Sequence, residues 1–516
     1  MSIRSCLSVG LALAAPALVA AAPAPSPLPK DLDAYILKAL QTFETPGAAV
    51  AVVKDGRIVL AKGYGMKKLG DPAPVTERTR FQIASNSKAF TAALLAQFVD
   101  EGRLKWDDRV IDHLPWFRLH DPYATREFTV RDLLTHRSGL GLGAGDLLWF
   151  RSGYGRREIL ERFRAIAPVT SFRSAYAYDN VLYIAAGEVA AALGGKSWET
   201  LVEERIFQPL GMASATPVFR ASADDATPHA PVDGIVRPVA PDRDDAAAAA
   251  AGIQVNVQDL AAWVKVQLDE GRIDGTRRIF TEARSREMFT AVTPQPIRPT
   301  RIESLKPLTP AFAAYGLGWE LRDYRGVKVA THTGALTGTT SRVLLVPEKK
   351  LGIIALTNGE NRVWDAIIWR ILDHQLGLPF HDWTAAFQEA RDAGLKHAAE
   401  VQARLAAAKP AGGQPSLPLS GFAGAYRDAW YGDAALAEEN GRLVLRFKPS
   451  PTFVGDLEFW GWNTFKVRWR ERTIPDAFLT FAINEEGRPV QFTMKAISPL
   501  ADFSFNFHDL SFTPVP

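Results

Sequence analysis

Cysteine is almost absent from this sequence. The single cysteine, Cys6, lies in an apolar N-terminal segment that we expect to be removed, so the mature chain should contain none. A disulfide framework, thiol catalysis and a cysteine-ligated zinc site are therefore excluded. Neither sign of charge is in large excess: 60 Lys and Arg against 57 Asp and Glu leave a net charge of +3, and no basic run is interleaved with aromatic residues. We expect a small-molecule or peptide substrate and no nucleic-acid partner.

Two sequence signatures of hydrolases are missing as well. None of the nine histidines belongs to a His-Glu-x-x-His motif, which disfavours metal-dependent hydrolysis. No serine is flanked as Gly-x-Ser-x-Gly, which disfavours an α/β-hydrolase. We predict no metal site and no cofactor.

The first residues have the pattern of a secretory signal peptide. Arg4 precedes an apolar run over residues 7–19, and the alanines at 20–22 supply an Ala-x-Ala cleavage pattern. The run is too short to span a membrane comfortably, and an uncleaved anchor is the alternative interpretation. We expect residues 1–22 to be the signal peptide, with no stable membrane span after cleavage and a periplasmic or extracellular location.

Among the serines, Ser85 alone has a lysine three positions further on. The residues after Lys88 favour a helix, and side chains three apart on a helix share a face. The Lys88 amine can then reach the Ser85 hydroxyl and help to remove its proton, which would activate a nucleophile without a histidine. Ser-x-x-Lys also arises by chance, and a solvated helix lysine is the competing interpretation. The significance of the motif therefore depends on which other motifs the sequence contains.

Tyr178-Asp179-Asn180 is the only Tyr-x-Asn in the chain. It precedes a helix-like run, residues 181–193, which Gly194 and Gly195 close. Taken alone, Tyr178 would be interpreted as an aromatic side chain packed at a helix start, and Asn180 as a helix cap.

His332-Thr333-Gly334 follows an alternating apolar segment, residues 327–330, that is typical of a strand. The three residues should lie at or near a strand edge, where Gly334 would let a substrate approach the backbone. A histidine here is expected to change its charge near neutral pH.

Ser-x-x-Lys, Tyr-x-Asn and His-Thr-Gly in this order resemble the motifs of the serine β-lactamase and penicillin-binding-protein superfamily. The tyrosine resembles its class C and D,D-peptidase branch. The second and third motifs depart from the Ser-Asp-Asn and Lys-Thr-Gly of class A enzymes. Three further phrases resemble the family, at residues 134–140, 315–319 and 356–358. The resemblance covers roughly residues 30 to 375.

The resemblance implies a role for each motif residue. Ser85 would attack a carbonyl carbon and form an acyl-enzyme, while Lys88 and Tyr178 share the proton transfers. A lysine amine and a phenol both titrate near about 10, so burial and close placement would be needed to keep one of them unprotonated at neutral pH. Substrate binding is implied for Asn180, His332, Thr333 and Gly334, and an oxyanion hole for the backbone N–H groups of Ser85 and Ala335.

For four other residues the sequence gives weaker evidence of a role in substrate binding. Trp149 and Phe150 would line a specificity pocket or, equally well, pack in the core. Asn358 and Asn361 lie where relatives recognise a carboxylate.

The length of 516 residues predicts two or more domains. We predict an α+β class: residues 30–378 form an antiparallel sheet flanked by a helical region, with hairpins about residues 54–56 and 347–350. Residues 379–417 are predicted to be a helix and a Pro/Gly-rich linker. Residues 418–516 contain short alternating runs and resemble a lipocalin-like all-β, barrel-like domain attached to some relatives.

The leading hypothesis is a secreted serine hydrolase that is a D-amino-acid-directed peptidase, with a D,D-carboxypeptidase as one form of it. A class C-like β-lactamase or a carboxylesterase of the same fold is the alternative within the class, and His332 in place of lysine favours the peptidase. A hypothesis of another class is a catalytically silent penicillin-recognising protein that binds a ligand or acts as a scaffold.

Overall fold

The computed structural model describes residues 28–515. The predicted signal peptide, residues 1–22, lies outside the described residues. An N-terminal unit of mixed helix and sheet is followed by a closed β-barrel, so the predicted fold class is confirmed. Within residues 28–515, we find no helix with the length and apolar character that crossing a membrane requires.

An eight-stranded antiparallel sheet forms the centre of the first unit. Both predicted hairpins are present at one side of it. In spatial order its strands are Arg57–Gly65, Gly47–Lys54, Leu351–Thr357, Thr339–Val346, Val327–Leu336, Glu320–Tyr324, Ala313–Tyr315 and Thr293–Pro294.

The central strands are apolar on both faces because both faces are covered. Along Gly47–Lys54, Val50 and Val52 enter one hydrophobic core, and Ala49 and Ala51 enter the other. This two-sided burial explains why these strands are continuous apolar runs rather than alternating ones.

The α-helices cover the sheet and extend from it as a helical region. Their bounds are Leu32–Thr42, Ser87–Asp100, Val110–His113, Pro122–Glu127, Val130–Leu133, Arg156–Phe163, Val181–Gly194, Trp198–Val202, Gln208–Leu210, Ala248–Ala251, Val257–Leu268, Glu282–Met288, Val363–Gln375 and Trp383–Ala408. Small sheets pair Arg80–Gln82 with Gln254–Asn256, and His229–Val232 with Ile235–Pro238.

Two of these helices fix the position of the candidate site. Ser87–Asp100 and Val181–Gly194 are buried on most of their surface and pack against each other. Neither is amphipathic, because a helix surrounded by protein has no face that must remain polar. Their N-terminal ends carry the first two sequence motifs, which the packing brings together.

The second unit is an antiparallel barrel of eight strands. They are Gly424–Asp428, Gly432–Glu439, Arg442–Phe447, Val454–Gly461, Thr464–Trp469, Ala477–Ile483, Pro489–Ala496 and Ser511–Pro514. The barrel closes where Tyr426 and Arg427 pair with Pro514 and Thr513. Aromatic rings pack in its interior; Phe447, for example, stacks on Phe453 at a centroid distance of 5.8 Å.

The barrel is docked directly on the first unit. The Tyr154 hydroxyl donates to the Tyr431 carbonyl at 2.9 Å, and Arg151 Nη1 donates to Thr473 Oγ1 at 3.0 Å. The connection between the last two barrel strands, residues 497–510, is named the barrel loop here. It extends over the helical region to the candidate site.

Candidate active site

Ser85 lies in a tight turn at the start of a buried helix. The turn Ala84–Asn86 is a 3₁₀ helix that leads into the α-helix Ser87–Asp100. Ala84 has φ of 48°, a left-handed conformation that costs a residue with a Cβ about 1 kcal/mol or more. Such strain directly before a proposed nucleophile is typical of sharp turns that present a side chain at a functional site.

Lys88 is fully buried and its amine is surrounded by acceptors. Nζ donates to Ser85 Oγ at 3.0 Å, to Asn180 Oδ1 at 2.7 Å and to the carbonyl of Ala250 at 3.1 Å. Burial lowers the pKa of Lys88 to about 7, although Asp146 and Asp179 favour its charged form. A substantial fraction of the amine is therefore neutral at neutral pH, and its lone pair can then accept the Ser85 proton.

Tyr178 is the second group at the Ser85 hydroxyl. Its ring lies under the amine of Lys88, with Nζ 4.8 Å from the ring centroid. Burial raises the pKa of Tyr178 well above its usual value, and an interaction with the Ser85 hydroxyl offsets part of that rise. At neutral pH the side chain is a phenol, which can donate a proton but has little capacity to remove one.

Asn180 does not cap the helix that follows it. Asp179 has that role, since its Oδ1 accepts from the backbone N–H of Val181 at 2.9 Å. Asn180 instead turns inward, where its Oδ1 faces Lys88 and its Nδ2 donates to Asp146 Oδ2 at 3.0 Å. The amide orientation is fixed from both ends, because its oxygen accepts from the Lys88 amine and its nitrogen donates to the Asp146 carboxyl group.

Asp146 was not predicted from the sequence. It is fully buried, and burial raises its pKa to about 7 although Trp149, Ser504 and Asn180 all donate to it. No spacing relates it to the three motifs. It follows Gly143 and Gly145, both in left-handed conformations that turn the chain back toward the site.

His332 is buried within the third motif and makes two contacts. Its Nε2 is 2.8 Å from the Tyr315 hydroxyl, and its Nδ1 is 2.6 Å from the carbonyl of Thr333. Burial lowers the pKa of His332 to about 3, with the charge of Lys88 acting in the same direction. The expectation that this histidine changes its charge near neutral pH is therefore wrong: it is neutral there.

Gly334 allows a close approach of two protein segments. A Cβ at this position would lie 2.1 Å from the carbonyl oxygen of Ile83. The glycine thus lets the strand Val327–Leu336 touch the segment that carries Ser85, and the approach of a substrate to its backbone stays a prediction. Ala335 is next on the same strand, so the two proposed oxyanion donors, Ser85 and Ala335, lie on facing elements.

Thr333 is half-buried on the strand Val327–Leu336.

The four residues with weaker evidence for a role at the site, Trp149, Phe150, Asn358 and Asn361, make other contacts. Trp149 Nε1 donates to Asp146 at 2.7 Å, and Phe150 packs against Phe505 of the barrel loop at 5.3 Å. Asn358 Oδ1 accepts from the backbone of Gly47 at 2.7 Å, and Asn361 Nδ2 donates to Thr45 Oγ1 at 2.7 Å. Both asparagines hold the start of the first strand in place, so their contacts are structural.

The geometry defines a class of protein. The arrangement is that of the β-lactamase and penicillin-binding-protein fold. It consists of a serine hydroxyl at a helix start, a buried lysine three residues on, a phenol ring beneath the lysine amine, and an antiparallel strand against the turn. Among residues 28–515, no three His, Cys, Asp or Glu side chains are grouped as metal ligands.

The chain belongs to the beta-lactamase family, whose model matches residues 32–377. The predicted resemblance to this family is confirmed. Residues 408–514 match a second family, described as a domain of unknown function.

Three comparisons relate the chain to individual proteins, and two of them, at 80% and 93% of this chain, extend beyond the first unit. The unguisins hydrolase of Aspergillus violaceofuscus is 26% identical over 80% of this chain and 77% of its own length. The D-aminopeptidase of Brucella anthropi is 29% identical over 67% of this chain and 62% of its own. The structure of an octameric penicillin-binding protein homologue from Pyrococcus abyssi superposes with a TM-score of 0.60 at 21% identity, covering 93% of this chain and 99% of that one. That structural likeness shows the fold alone.

Proposed function

We propose that this protein is a serine hydrolase that forms an acyl-enzyme at Ser85 and cleaves amide bonds next to D-amino acids. One observation carries the proposal: the Lys88 amine lies 3.0 Å from Ser85 Oγ in an environment that lowers its pKa to about 7. A base poised at the working pH is what activation of a serine hydroxyl requires.

Acylation begins when neutral Lys88 accepts the Ser85 proton. Oγ then bonds to the carbonyl carbon, and the resulting oxyanion is stabilised by the N–H groups of Ser85 and Ala335. The C–N bond breaks as the Tyr178 phenol donates a proton to the leaving amine, and Lys88 returns its own proton to Tyr178. Lys88 is then neutral again and takes a proton from the water that attacks the ester. As the C–O bond to the enzyme breaks, Lys88 gives this proton to Ser85 Oγ, which restores both groups.

The neutral His332 bears on the choice of substrate. At neutral pH it presents no positive charge to a substrate carboxylate, unlike a lysine at the same place. This favours substrates whose scissile bond is not followed by a free carboxylate, so we place a D-aminopeptidase or D-amidase activity ahead of a D,D-carboxypeptidase. The likeness to a protein named D-aminopeptidase supports the same order.

Four substrates distinguish the activities. D-Alanyl p-nitroanilide, an acyl-D-Ala-D-Ala peptide, nitrocefin and p-nitrophenyl acetate should each be incubated with the wild type and with Ser85→Ala. We expect Ser85-dependent turnover of the anilide, and weaker turnover of the carboxylate-ended peptide. Turnover of nitrocefin or the ester alone would reassign the protein to a β-lactamase or an esterase. Absence of turnover together with absence of Ser85 labelling by penicillin or a fluorophosphonate would favour the binding or scaffold hypothesis.

We also propose that the protein is secreted, on the strength of the N-terminal sequence pattern. N-terminal sequencing of the protein from a secretion-competent bacterial host tests this. A mature chain beginning at Ala22 or Pro23 supports the proposal, and an intact N-terminus with the protein retained in the cytoplasm contradicts it.

A further inference from the structure

The barrel loop contributes two side chains to the candidate active site. Ser504 Oγ donates to Asp146 Oδ2 at 2.8 Å. The adjacent ring of Phe503 meets Tyr178 edge-on, at a centroid distance of 5.8 Å. The loop therefore reaches the proposed proton-transfer groups rather than only the rim of the first unit.

The Ser504 contact is the outer end of a continuous chain of hydrogen bonds. From Ser504 the chain passes to Asp146 at 2.8 Å, to Asn180 at 3.0 Å, to Lys88 at 2.7 Å and to Ser85 at 3.0 Å. Asp146, Asn180 and Lys88 are buried, so these bonds are made in a medium of low dielectric, where each one strongly constrains its partners.

The orientation of Asn180 depends on Asp146 being an acceptor. An ionised carboxylate accepts a hydrogen bond from the Asn180 amide N–H₂, which leaves the amide oxygen directed toward Lys88. A protonated Asp146 would donate instead, and the amide could then turn its N–H₂ toward the lysine. Donation from Ser504 stabilises the ionised form, since hydrogen bonds to a carboxylate favour its charge.

We propose that Ser504 is a positioning residue for Lys88, acting through Asp146 and Asn180, so that the barrel completes the proton-transfer machinery of the first unit. The inference rests on the proposed function of Lys88 as the base for Ser85. It assigns the barrel a part in catalysis.

Ser504→Ala in the full-length chain tests the proposal. The rate of Ser85 labelling by a fluorophosphonate probe and the kcat and KM for D-alanyl p-nitroanilide should be measured from pH 5 to 9. We expect kcat and the labelling rate to fall about tenfold, with KM within about twofold of the wild type, because Ser504 acts on the base and does not touch the substrate. Ser504→Thr retains the hydroxyl and should recover most of the lost rate.

The pH profile adds a readout that a merely structural contact would not move. Without the Ser504 donor, Asp146 keeps its proton to a higher pH, and the Asn180 orientation that needs its carboxylate forms only above that pH. The rising limb of the labelling rate should therefore move to higher pH. The titratable groups that face Lys88 are Asp146, Asp179, His136, His332, Tyr178 and Tyr183. All of them remain in the variant.

Ser498→Ala is the matched control. Ser498 lies in the same loop and accepts only a local bond, from the backbone of Leu500 at 3.2 Å. Its rates and pH profile should equal those of the wild type. An unchanged rate and profile in Ser504→Ala, or an equal loss in both variants, would overturn the inference. If the wild type shows no Ser85-dependent labelling, the proposed function itself fails, and the inference with it.

Discussion

Gly334 and Ile83 lie so close together that no side chain fits between them: a Cβ on Gly334 would be 2.1 Å from the Ile83 carbonyl oxygen. This contact joins the strand of the third motif to the turn that carries Ser85. It ties the position of the proposed nucleophile to the sheet.

Gly334→Ala should therefore displace the turn that holds Ser85. A shift of about 1 Å in a reacting group can cost about 100-fold, and we expect a loss of that size in kcat/KM for D-alanyl p-nitroanilide. Gly394→Ala is the control, because its Cβ would meet only the Leu500 side chain at 3.6 Å. A variant of Gly334 with wild-type kinetics would contradict the geometry.

Replacing Lys88 should abolish activation of the serine. Lys88→Met keeps an unbranched side chain in the buried site but has no base, and we expect kcat to fall by about 10³-fold. Lys62→Met, at an exposed lysine paired with Asp33 at 2.6 Å, should leave kcat unchanged. Turnover in both variants is compared by steady-state kinetics. Retained activity in Lys88→Met would mean that Tyr178 alone serves Ser85.

The pH dependence of kcat/KM should report the buried lysine. Burial lowers the pKa of Lys88 to about 7 and raises the pKa of Asp146 to about 7 as well. Because the proposed base is the neutral amine, activity should be low at pH 5 and rise through neutrality. The apparent value belongs to the coupled pair rather than to either group. A rate that stays flat from pH 5 to 9 would argue against a lysine base.

His332 should make the protein sensitive to acid. Burial lowers its pKa from an ordinary value of 6.5 to about 3, so between these limits the unfolded chain binds a proton that the folded chain does not. The free energy of unfolding therefore falls as the pH is lowered through this window. Between pH 7 and 4.5, urea denaturation should show a fall in the free energy of unfolding that is about 2–3 kcal/mol smaller for His332→Gln than for the wild type. Equal declines would mean that the histidine is charged in the folded protein.

Removing the Phe503 ring should change selectivity more than chemistry. The side chain is 37% exposed and borders the site through Tyr178. Phe503→Ala should widen the cleft and raise kcat/KM for long D-amino-acid peptides relative to short ones by several-fold, a range typical of apolar contacts. Val490→Ala, at an exposed residue on a barrel strand, is the control. An unchanged ratio would place Phe503 outside the substrate path.

The sequence was sufficient to locate the helices and hairpins around the three motifs, because local patterns determine them. Val181–Gly194 ends at the glycine pair, and the turn at Asp55 and Gly56 joins the first two strands as expected. The meeting of Ser85 and Lys88 was foreseeable from their helical spacing, and the approach of Asn180 to Lys88 was implied by the resemblance of the three motifs to the family. The roles of these residues stay predictions until the measurements above are made.

Asp146 and Ser504 could not be found from the sequence. Each is an ordinary polar residue in a loop, and their relation to Lys88 exists only through burial and long-range packing. The state of His332 was missed for the same reason, because its ordinary pKa gives no sign of a fully buried ring. Asn180 was ambiguous in sequence, and Asp179 resolves it by capping the helix.

The bond between Ser504 and Asp146 joins positions 358 residues apart. During synthesis, a chain that has already placed Ser85, Lys88 and Asn180 together must still wait for the barrel before that bond can form. Contacts of such long range form late in folding, since they carry the largest loss of chain entropy. We therefore expect the site to mature only when the second unit has folded. The proposed role of Ser504 implies that a chain truncated before the barrel holds the three motifs in a less reactive form.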